Sequence, residues 1–294
     1  MITIKISWWL WNQMFQYACW KMLAKKYNTK LIIDRTFIDN SLNWVYTKWP
    51  YELDVFDIND DISIFSKIAL KFKVINKLIS PRLFQILNFI FYKKRYILEK
   101  QWEFLNNLPN NSYLNWYWFS YKYFDNFEKD ILKIFDIKKN LTLENINILE
   151  NIKKDYLNTV SIHIRRWDYI KCNSDKLWEW LWSTDYYKKA MEYTNSKLKN
   201  PKYIIFSDDI KWVKENLQLS KNVIYIENNV WKWYEDLRLM YSCANHIIAN
   251  STFSWWGAYL GKNKNKIIIA PNKWFFSQNN YKQSLYIPKD WITL

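Results

Sequence analysis

The chain has 294 residues, half of them hydrophobic and 24% charged, a composition that excludes global disorder and gives enough length for two domains or one large one. Lys+Arg 43 against Asp+Glu 28 leaves a net charge of +15, which favours polyanionic partners: nucleic acid, anionic lipid or a phosphorylated small molecule. Cys19, Cys172 and Cys243 are too few and too scattered for a disulfide framework or a zinc site, so a reducing compartment is expected.

Met1 leads into Ile2-Thr3-Ile4-Lys5-Ile6, the alternation of a strand rather than of a signal peptide. Ser7-Trp8-Trp9-Leu10-Trp11 reads as a tight loop. A helix follows from about Asn12 to Tyr27, with Phe15, Ala18, Cys19, Met22 and Leu23 on one face, and Lys30–Asp34 reads as the next strand. This is a βα unit of the Rossmann kind. Residues 63–98 read as two amphipathic helices split at Pro81, with Lys67, Lys71, Lys73 and Lys77 between the apolar positions. They fit either a core-packed hairpin with a basic outer face or a reversible membrane-surface contact. The longest apolar run, Leu83–Tyr92, is about half a membrane span, so no transmembrane helix is expected. The Asn- and Lys-rich stretch 137–155 is the candidate domain junction, dividing the chain into 1–150 and 151–294. Beyond it, short apolar strands at 158–164, 202–206, 222–226, 246–249 and 266–270 alternate with helical patterns at 185–197, 210–217, 234–243 and 253–260, the rhythm of a buried parallel sheet.

Parallel α/β sheets bind ligands at the carboxyl ends of their strands. Three polar clusters fall there: His163-Ile164-Arg165-Arg166-Trp167-Asp168-Tyr169, then Ser207-Asp208-Asp209, then Asn250-Ser251-Thr252-Phe253-Ser254-Trp255-Trp256. Paired arginines suit phosphate oxygens. Asn250 and Ser251 precede a helix, whose first amides and dipole favour an anion. The carboxylates suit a ribose, a base edge or an acceptor hydroxyl. Together the clusters suggest a nucleotide-diphosphate site. Each alone has a plainer reading: a surface ion pair for the arginines, a helix N-cap for Ser-Asp-Asp, helix-face packing for Trp255 and Trp256. Asp208 and Asp209 look like a metal-binding pair, but no third ligand is recognisable, so no metal is expected. The charge and the 20% aromatic content also fit a nucleic-acid binder, although the charge is spread over helices and no nucleic-acid motif is present.

These residues resemble a known family. Ser7-Trp8-Trp9-Leu10-Trp11-Asn12-Gln13-Met14-Phe15-Gln16-Tyr17-Ala18 is similar to the S-G-G-L-G-N-Q-M-F-Q-Y-A opening of bacterial α-1,2-fucosyltransferases (glycosyltransferase family 11), and His163–Tyr169 to that family's H-x-R-R-G-D-Y. Phe206-Ser207-Asp208-Asp209 with Trp212, Asp236-Leu237-Arg238-Leu239-Met240, Ile248–Ala258, Ala270–Trp274 and Pro288–Trp291 follow the family's order and spacing. The segments 63–111 and 137–157 are uninformative.

The resemblance implies a GT-B-like α/β fold, with two Rossmann-like domains facing across a cleft: 1–150 on the acceptor side, carrying a helical insertion at about 63–98, and 151–294 binding GDP-fucose. It implies transfer of L-fucose from GDP-β-L-fucose to the 2-hydroxyl of a galactose-type residue, with inversion and without a metal. The acceptor is an oligosaccharide or lipid-linked glycan, and the location is cytoplasmic, with peripheral membrane contact through 63–98. Arg165 is expected on the β-phosphate, with Arg166 assisting or holding the loop. Ser251, Asn250 and Thr252 are expected on phosphate, and Ser207, Asp208 and Asp209 on the donor. His163 and Asp236 are candidates for guanine or ribose, with a structural role equally open for His163. Asn12 is expected to reach the sugar or acceptor. Gln13 is a donor candidate or a helix-start support, and Asp168 a general base or a brace for Arg165.

The departures from the family pattern are concentrated in one residue type. The chain holds 2 Gly and 20 Trp, whereas a chain of this length ordinarily carries roughly 20 Gly. Trp8, Trp9, Trp11 and Trp167 occupy family Gly positions, as Trp20 and Trp116 are expected to, with Trp102, Trp180 and Trp233 further candidates. Trp118, Trp212, Trp255, Trp256, Trp274 and Trp291 fall where the family has Trp. Gly in a strand-to-helix loop permits positive φ and close ligand approach, which Trp does not, so this chain is expected to have weak or no activity and reduced stability. A gene using UGA for glycine, read with a table in which UGA is tryptophan, produces this pattern, and the richness in Lys, Asn, Ile, Tyr and Phe fits an AT-rich gene. The expected codons at 8, 9, 11 and 167 are UGA; UGG there, read from the source gene, contradicts the idea.

Overall fold

The computed structural model describes residues 1–40, 50–63, 66–67, 86, 90, 95–98, 111–115, 118–166, 184–217, 219, 222–229, 232–274 and 283–294. The chain is α/β and divides into two compact units, Met1–Lys138 with Asn279–Tyr286 and Lys139–Gln278 with Ile287–Leu294. The division falls ahead of the boundary drawn at 150, because the polar stretch expected as a junction contains a helix belonging to the second unit. Among the described residues no helix is long and apolar enough to cross a membrane.

In the first unit β1 (Ile2–Lys5), β2 (Leu31–Asp34), β3 (Asp61–Ile62), β4 (Arg95–Leu98) and β5 (Ser112–Asn115) form a parallel sheet in the order β3-β2-β1-β5-β4. Helix α1 (Leu10–Lys26) follows β1, then α2 (Thr36–Asn40) and α3 (Glu128–Ile134). The expected face of α1 is buried, but so are Met14, Tyr17 and Trp20, which makes α1 a core helix rather than a one-stripe amphipath. Residues 66, 67, 86 and 90 of the expected 63–98 pair are helical. Arg95–Leu98 is not: it is β4, in register with β5 as Tyr96 opposite Tyr113 and Ile97 opposite Leu114. Pairing with a buried strand overrides the helical spacing there. The rest of that segment lies outside the described residues.

The loop between β1 and α1 is tied down by glutamines. Gln16 Oε1 accepts from the Ser7 amide at 3.0 Å and Gln16 Nε2 donates to Ser7 Oγ at 3.1 Å. Gln13 Nε2 donates to the carbonyls of Trp8 and Pro50 at 2.7 and 2.8 Å, while its Oε1 accepts from the Glu52 amide at 3.2 Å. Trp9, at the N-cap, offers no side-chain cap; Glu52 Oε2 takes the Leu10 amide instead, at 3.1 Å, and burial raises the affinity of that carboxyl for its proton. Within this loop Trp8 is held at φ 72°, the left-handed region. Trp20 is fully buried, with its indole edge-on to Trp118 at 4.4 Å, and its Nε1 meets no hydrogen-bond partner among the described residues. Trp118 is also left-handed, at φ 54°, so positive φ is not by itself a glycine mark here. Trp118 is held by packing and by donation from its Nε1 to the Asn115 carbonyl at 3.0 Å.

In the second unit β6 (Thr159–Ile164), β7 (Lys202–Ser207), β8 (Val223–Tyr225), β9 (Asn245–Ile247), β10 (Ile268–Ala270) and β11 (Ile292–Thr293) form a parallel sheet in the order β11-β10-β9-β6-β7-β8. Helices α4 (Leu143–Lys154), α5 (Thr184–Lys197), α6 (Ile210–Asn216), α7 (Trp233–Tyr241) and α8 (Thr252–Tyr259) accompany it. Strand β6 is buried at every position, and Val160, Ile162 and Ile164 pack with Tyr187 and Ala190 of α5 and with Ile205, Ile247 and Ile269 of neighbouring strands. Gly257 of α8 lies so close to Met240 of α7 that a Cβ there would sit 2.0 Å from Met240 Sδ, so bare backbone sets the close packing of these two helices.

Left-handed φ costs a non-glycine residue about 1 kcal/mol or more. Trp8→Gly is therefore expected to raise stability by about 1 kcal/mol, read as a higher urea midpoint. An unchanged or lower midpoint contradicts the strain.

Candidate functional site

The strand order of the second sheet fixes where a ligand can lie. From β6 the chain steps outward to β7 and β8, then returns to the other side of β6 as β9 and continues to β10 and β11. At such a reversal of strand order a ligand is expected at the carboxyl edge, between the strands whose connections run opposite ways, here β6 and β9. Arg165 and Arg166 follow β6, and Asn250-Ser251-Thr252 follow β9 into α8. Ser207 ends β7, the other neighbour of β6, in register with Ile164, and Asp208-Asp209 follow it.

The arginines and aspartates are cross-braced. Arg165 Nε lies 3.3 Å from Asp208 Oδ2, and Asp208 Oδ1 accepts from the Arg166 amide at 2.9 Å. Arg166 Nη1 donates to Asp209 Oδ2 at 2.5 Å, and its guanidinium stacks over the Trp212 ring at 3.8 Å. Asp209 Oδ1 also takes the Trp212 amide at 3.1 Å, capping α6, while the Asp209 amide donates to Ser207 Oγ at 3.0 Å. Ser207, Asp208 and Asp209 are thus occupied in holding the arginines and starting a helix. Arg166 is buried in that brace, whereas the Arg165 side chain keeps 31% exposure. No set of three or more His, Cys, Asp or Glu among the described residues could hold a metal ion.

Beyond β9, the other neighbour of β6, Ser251 is the N-cap of α8, but its hydroxyl makes no capping bond and the first turn carries no acid. The positive end of the helix is therefore not neutralised from within. Asn250 Nδ2 donates to the Trp274 carbonyl at 2.6 Å, fixing the approach to the helix. His163, two residues before Arg165 in β6, is 4% exposed and edge-on to Phe253 of α8 at 4.9 Å. Its Nδ1 meets no hydrogen-bond partner among the described residues. Burial, reinforced by Arg165, pushes its pKa down to about 3, so the ring is neutral. Trp255 and Trp256 are core residues, edge-on to each other at 5.0 Å.

Asp236 lies in the first turn of α7 and accepts from Asn229 Nδ2 at 2.8 Å. Burial first, and Glu235 beside it, push its pKa up to about 7 against that hydrogen bond. Glu235 is itself buried and also raised by burial, with Arg238, Lys232 and Asn145 opposing. Asn145 and Asn229, which the sequence did not single out, belong to this cluster. The signal for Asn145 was Thr142 three residues earlier, whose Oγ1 accepts the Asn145 amide at 3.3 Å as the N-cap of α4.

In the first unit Asn12 lies in the opening turn of α1, and Gln13 is fully buried with its amide bonded to backbone. Asp168 and Trp167 lie outside the described residues, as do Trp102, Trp116 and Trp180.

The profile of Glycosyl transferase family 11 matches residues 1–294. The O-antigen biosynthesis glycosyltransferase WbnK of Escherichia coli is 34% identical over 297 residues, covering 96% of this chain and 97% of its own. An alpha-1,2-colitosyltransferase of Escherichia coli is 30% identical over 289 residues, covering 94% and 92%. Among solved structures, fucosyltransferase NodZ from Bradyrhizobium superposes with a TM-score of 0.49 at 11% identity, covering 87% of this chain and 92% of its own. The chain belongs to glycosyltransferase family 11.

Proposed function

We propose that this family 11 glycosyltransferase moves L-fucose from GDP-β-L-fucose to the 2-hydroxyl of a galactose-type residue in an oligosaccharide or lipid-linked glycan, with inversion and with no metal. The observation that carries this reading is the switch point in strand order, with Arg165 after β6 and the N-terminus of α8 after the adjacent β9. Inverting displacement needs in-line attack on an oxocarbenium-like centre and neutralisation of the departing diphosphate. Without a metal, a guanidinium and a helix N-terminus must do the second job. In this reading Arg165 binds the β-phosphate, with Asp208 holding its Nε edge so that the guanidinium keeps one orientation. Arg166 serves as the brace of the loop. Ser251, Thr252 and Asn250 complete the phosphate site. Asp236 and neutral His163 contact the base or ribose, Asn12 the sugar or acceptor, and Asp168 braces Arg165 or takes the acceptor proton.

Work in the cytoplasm on a lipid-linked acceptor belongs to the same proposal. The exposure of Ile86 and Ile90, one helical turn apart in the basic 63–98 segment, supports peripheral membrane contact there. The identity with an alpha-1,2-colitosyltransferase supports a second reading in which colitose is the sugar moved. In neither reading is nucleic acid a partner.

Arg165→Ala, in the chain carrying glycine at 8, 9, 11 and 167, is expected to cut transfer from GDP-fucose by about 100-fold or more with the thermal midpoint unchanged. Retained turnover contradicts the assignment.

A further inference from the structure

The cluster around Asp236 reaches well beyond α7. Asn145, on the first turn of α4, is fully buried, and each polar part of its amide is used. Its Nδ2 donates to Asn229 Oδ1 at 2.8 Å, and its side chain also hydrogen-bonds the Glu235 carboxyl. Its Oδ1 accepts from Asn228 Nδ2 at 2.9 Å. Asn229 in turn donates to Asp236 Oδ1 at 2.8 Å. The chain of bonds therefore runs Asn145 to Asn229 to Asp236, with Glu235 held by the same amide. An amide has two donor hydrogens and one acceptor oxygen, and this arrangement satisfies all of them in a single orientation.

The placement matters because of topology. Asn228 and Asn229 leave the carboxyl end of β8, and Asp236 lies in the first turn of α7, which packs beside α8. In a parallel sheet the helices run back against the strands, so the starts of α7 and α8 share the carboxyl edge of the sheet with Arg165. A nucleoside diphosphate anchored there by its phosphates extends its base along that edge.

We infer that Asn145 is a positioning residue, which through Asn229 fixes the Asp236 carboxylate toward a nucleobase presenting adjacent N–H donors, as guanine does; this rests on the GDP-donor reading. The carboxylate accepts from the base. Asn145 touches no ligand, and its work is to keep Asn229 donating and Glu235 occupied. Among the described residues the charge that acts on Asp236 is Glu235, and Glu235 in turn feels Arg238 on the same helix and Lys232 just ahead of it. Lys139 accepts through its carbonyl from Arg238 Nη2 at 2.5 Å, and its Nζ lies 5.0 Å from the Tyr234 ring. The side chains that α4 buries are Asn145 and Ile152, and α8 carries no charged residue.

The sign of the pH dependence follows. Burial raises the Asp236 pKa to about 7, and the Asn229 hydrogen bond opposes that rise. The carboxylate that accepts from a base is the form present above that value, so GDP affinity climbs with pH through about 7. Loosening Asn229 removes the opposing interaction, and the climb moves to higher pH.

The experiment is calorimetric titration of GDP, ADP and pyrophosphate from pH 6 to 9, using this chain and its Trp167→Gly form, each with Asn145→Leu or Asn145→Asp. Thermal unfolding without ligand is measured in parallel. The inference expects GDP to bind in preference to ADP. It expects Asn145→Leu to weaken GDP about tenfold at pH 7 and to move the climb upward. Asn145→Asp, which keeps the shape and adds a third acid, moves the climb further, and pyrophosphate affinity stays unchanged. Equal loss of GDP and pyrophosphate affinity at all pH values, or a GDP profile identical to the parent, overturns the positioning role and leaves the donor reading standing. Absence of GDP binding in both parents overturns the donor reading and this inference with it.

Discussion

From strand β6 the sheet grows in two opposite directions, first to β7 and β8 and then, after a return, to β9, β10 and β11, and the candidate site depends on that reversal. With β7 on one side and β9 on the other, a ligand is expected at the carboxyl edge between β6 and β9, whose connections run opposite ways. That location is a consequence of connectivity rather than of any side chain. The site can form because β6 is buried at every position, its Ser161 hydroxyl paired with His246 Nδ1 at 2.8 Å, and because α7 and α8 approach closely at Gly257 and Met240. A wider helix pair would separate the first turns of α7 and α8, which carry Asp236 and Thr252.

Electrostatics within that frame are divided between fixed and available charge. Asp208 and Asp209 compensate the two arginines, so positive charge is kept at the carboxyl edge without a buried unpaired ion. The compensation is uneven. Arg166 is enclosed between Asp209 and the Trp212 ring, whereas Arg165 is held at one edge and remains partly exposed. His163 adds no charge, since burial beside Arg165 keeps it neutral. The first unit treats its corresponding helix start differently: the Glu52 carboxyl accepts from the Leu10 amide, so the N-terminus of α1 already has an acidic side chain against it. This asymmetry between two similar βα turns supports assigning the diphosphate to the second unit.

Much of the second unit was legible because a parallel sheet covered on both faces writes its strands as apolar runs, as in Tyr203–Phe206 and Ile267–Ala270. Strands β3 and β11 are two residues each and leave no period to read. Helix α4 was hidden for a different reason. It buries Asn145 and Ile152 and exposes much of the rest, so its Asn-rich sequence resembles a linker, and only the Thr142 cap betrays it. At the site, the three strand-end clusters could be read from position alone. Their division of labour could not, because pairing of Asp208 and Asp209 with the arginines depends on the register that sets Ile164 opposite Ser207. The Asn145–Asn229–Asp236 chain likewise joins residues far apart in sequence.

Trp255 and Trp256 belong to a packed core, and Trp118 is left-handed at a position where tryptophan is expected. Trp8 is also held left-handed, and Trp20 buries an indole N–H that meets no partner among the described residues. The last two are costs that glycine does not incur. The most direct measurement is product analysis by nuclear magnetic resonance. The chain carrying Trp8→Gly, Trp9→Gly, Trp11→Gly and Trp167→Gly is incubated with GDP-β-L-fucose and a galactoside, with a metal chelator present. The account predicts fucose joined in α linkage to the galactose 2-hydroxyl. No transfer under these conditions, transfer to another hydroxyl, or a β-linked product would contradict it.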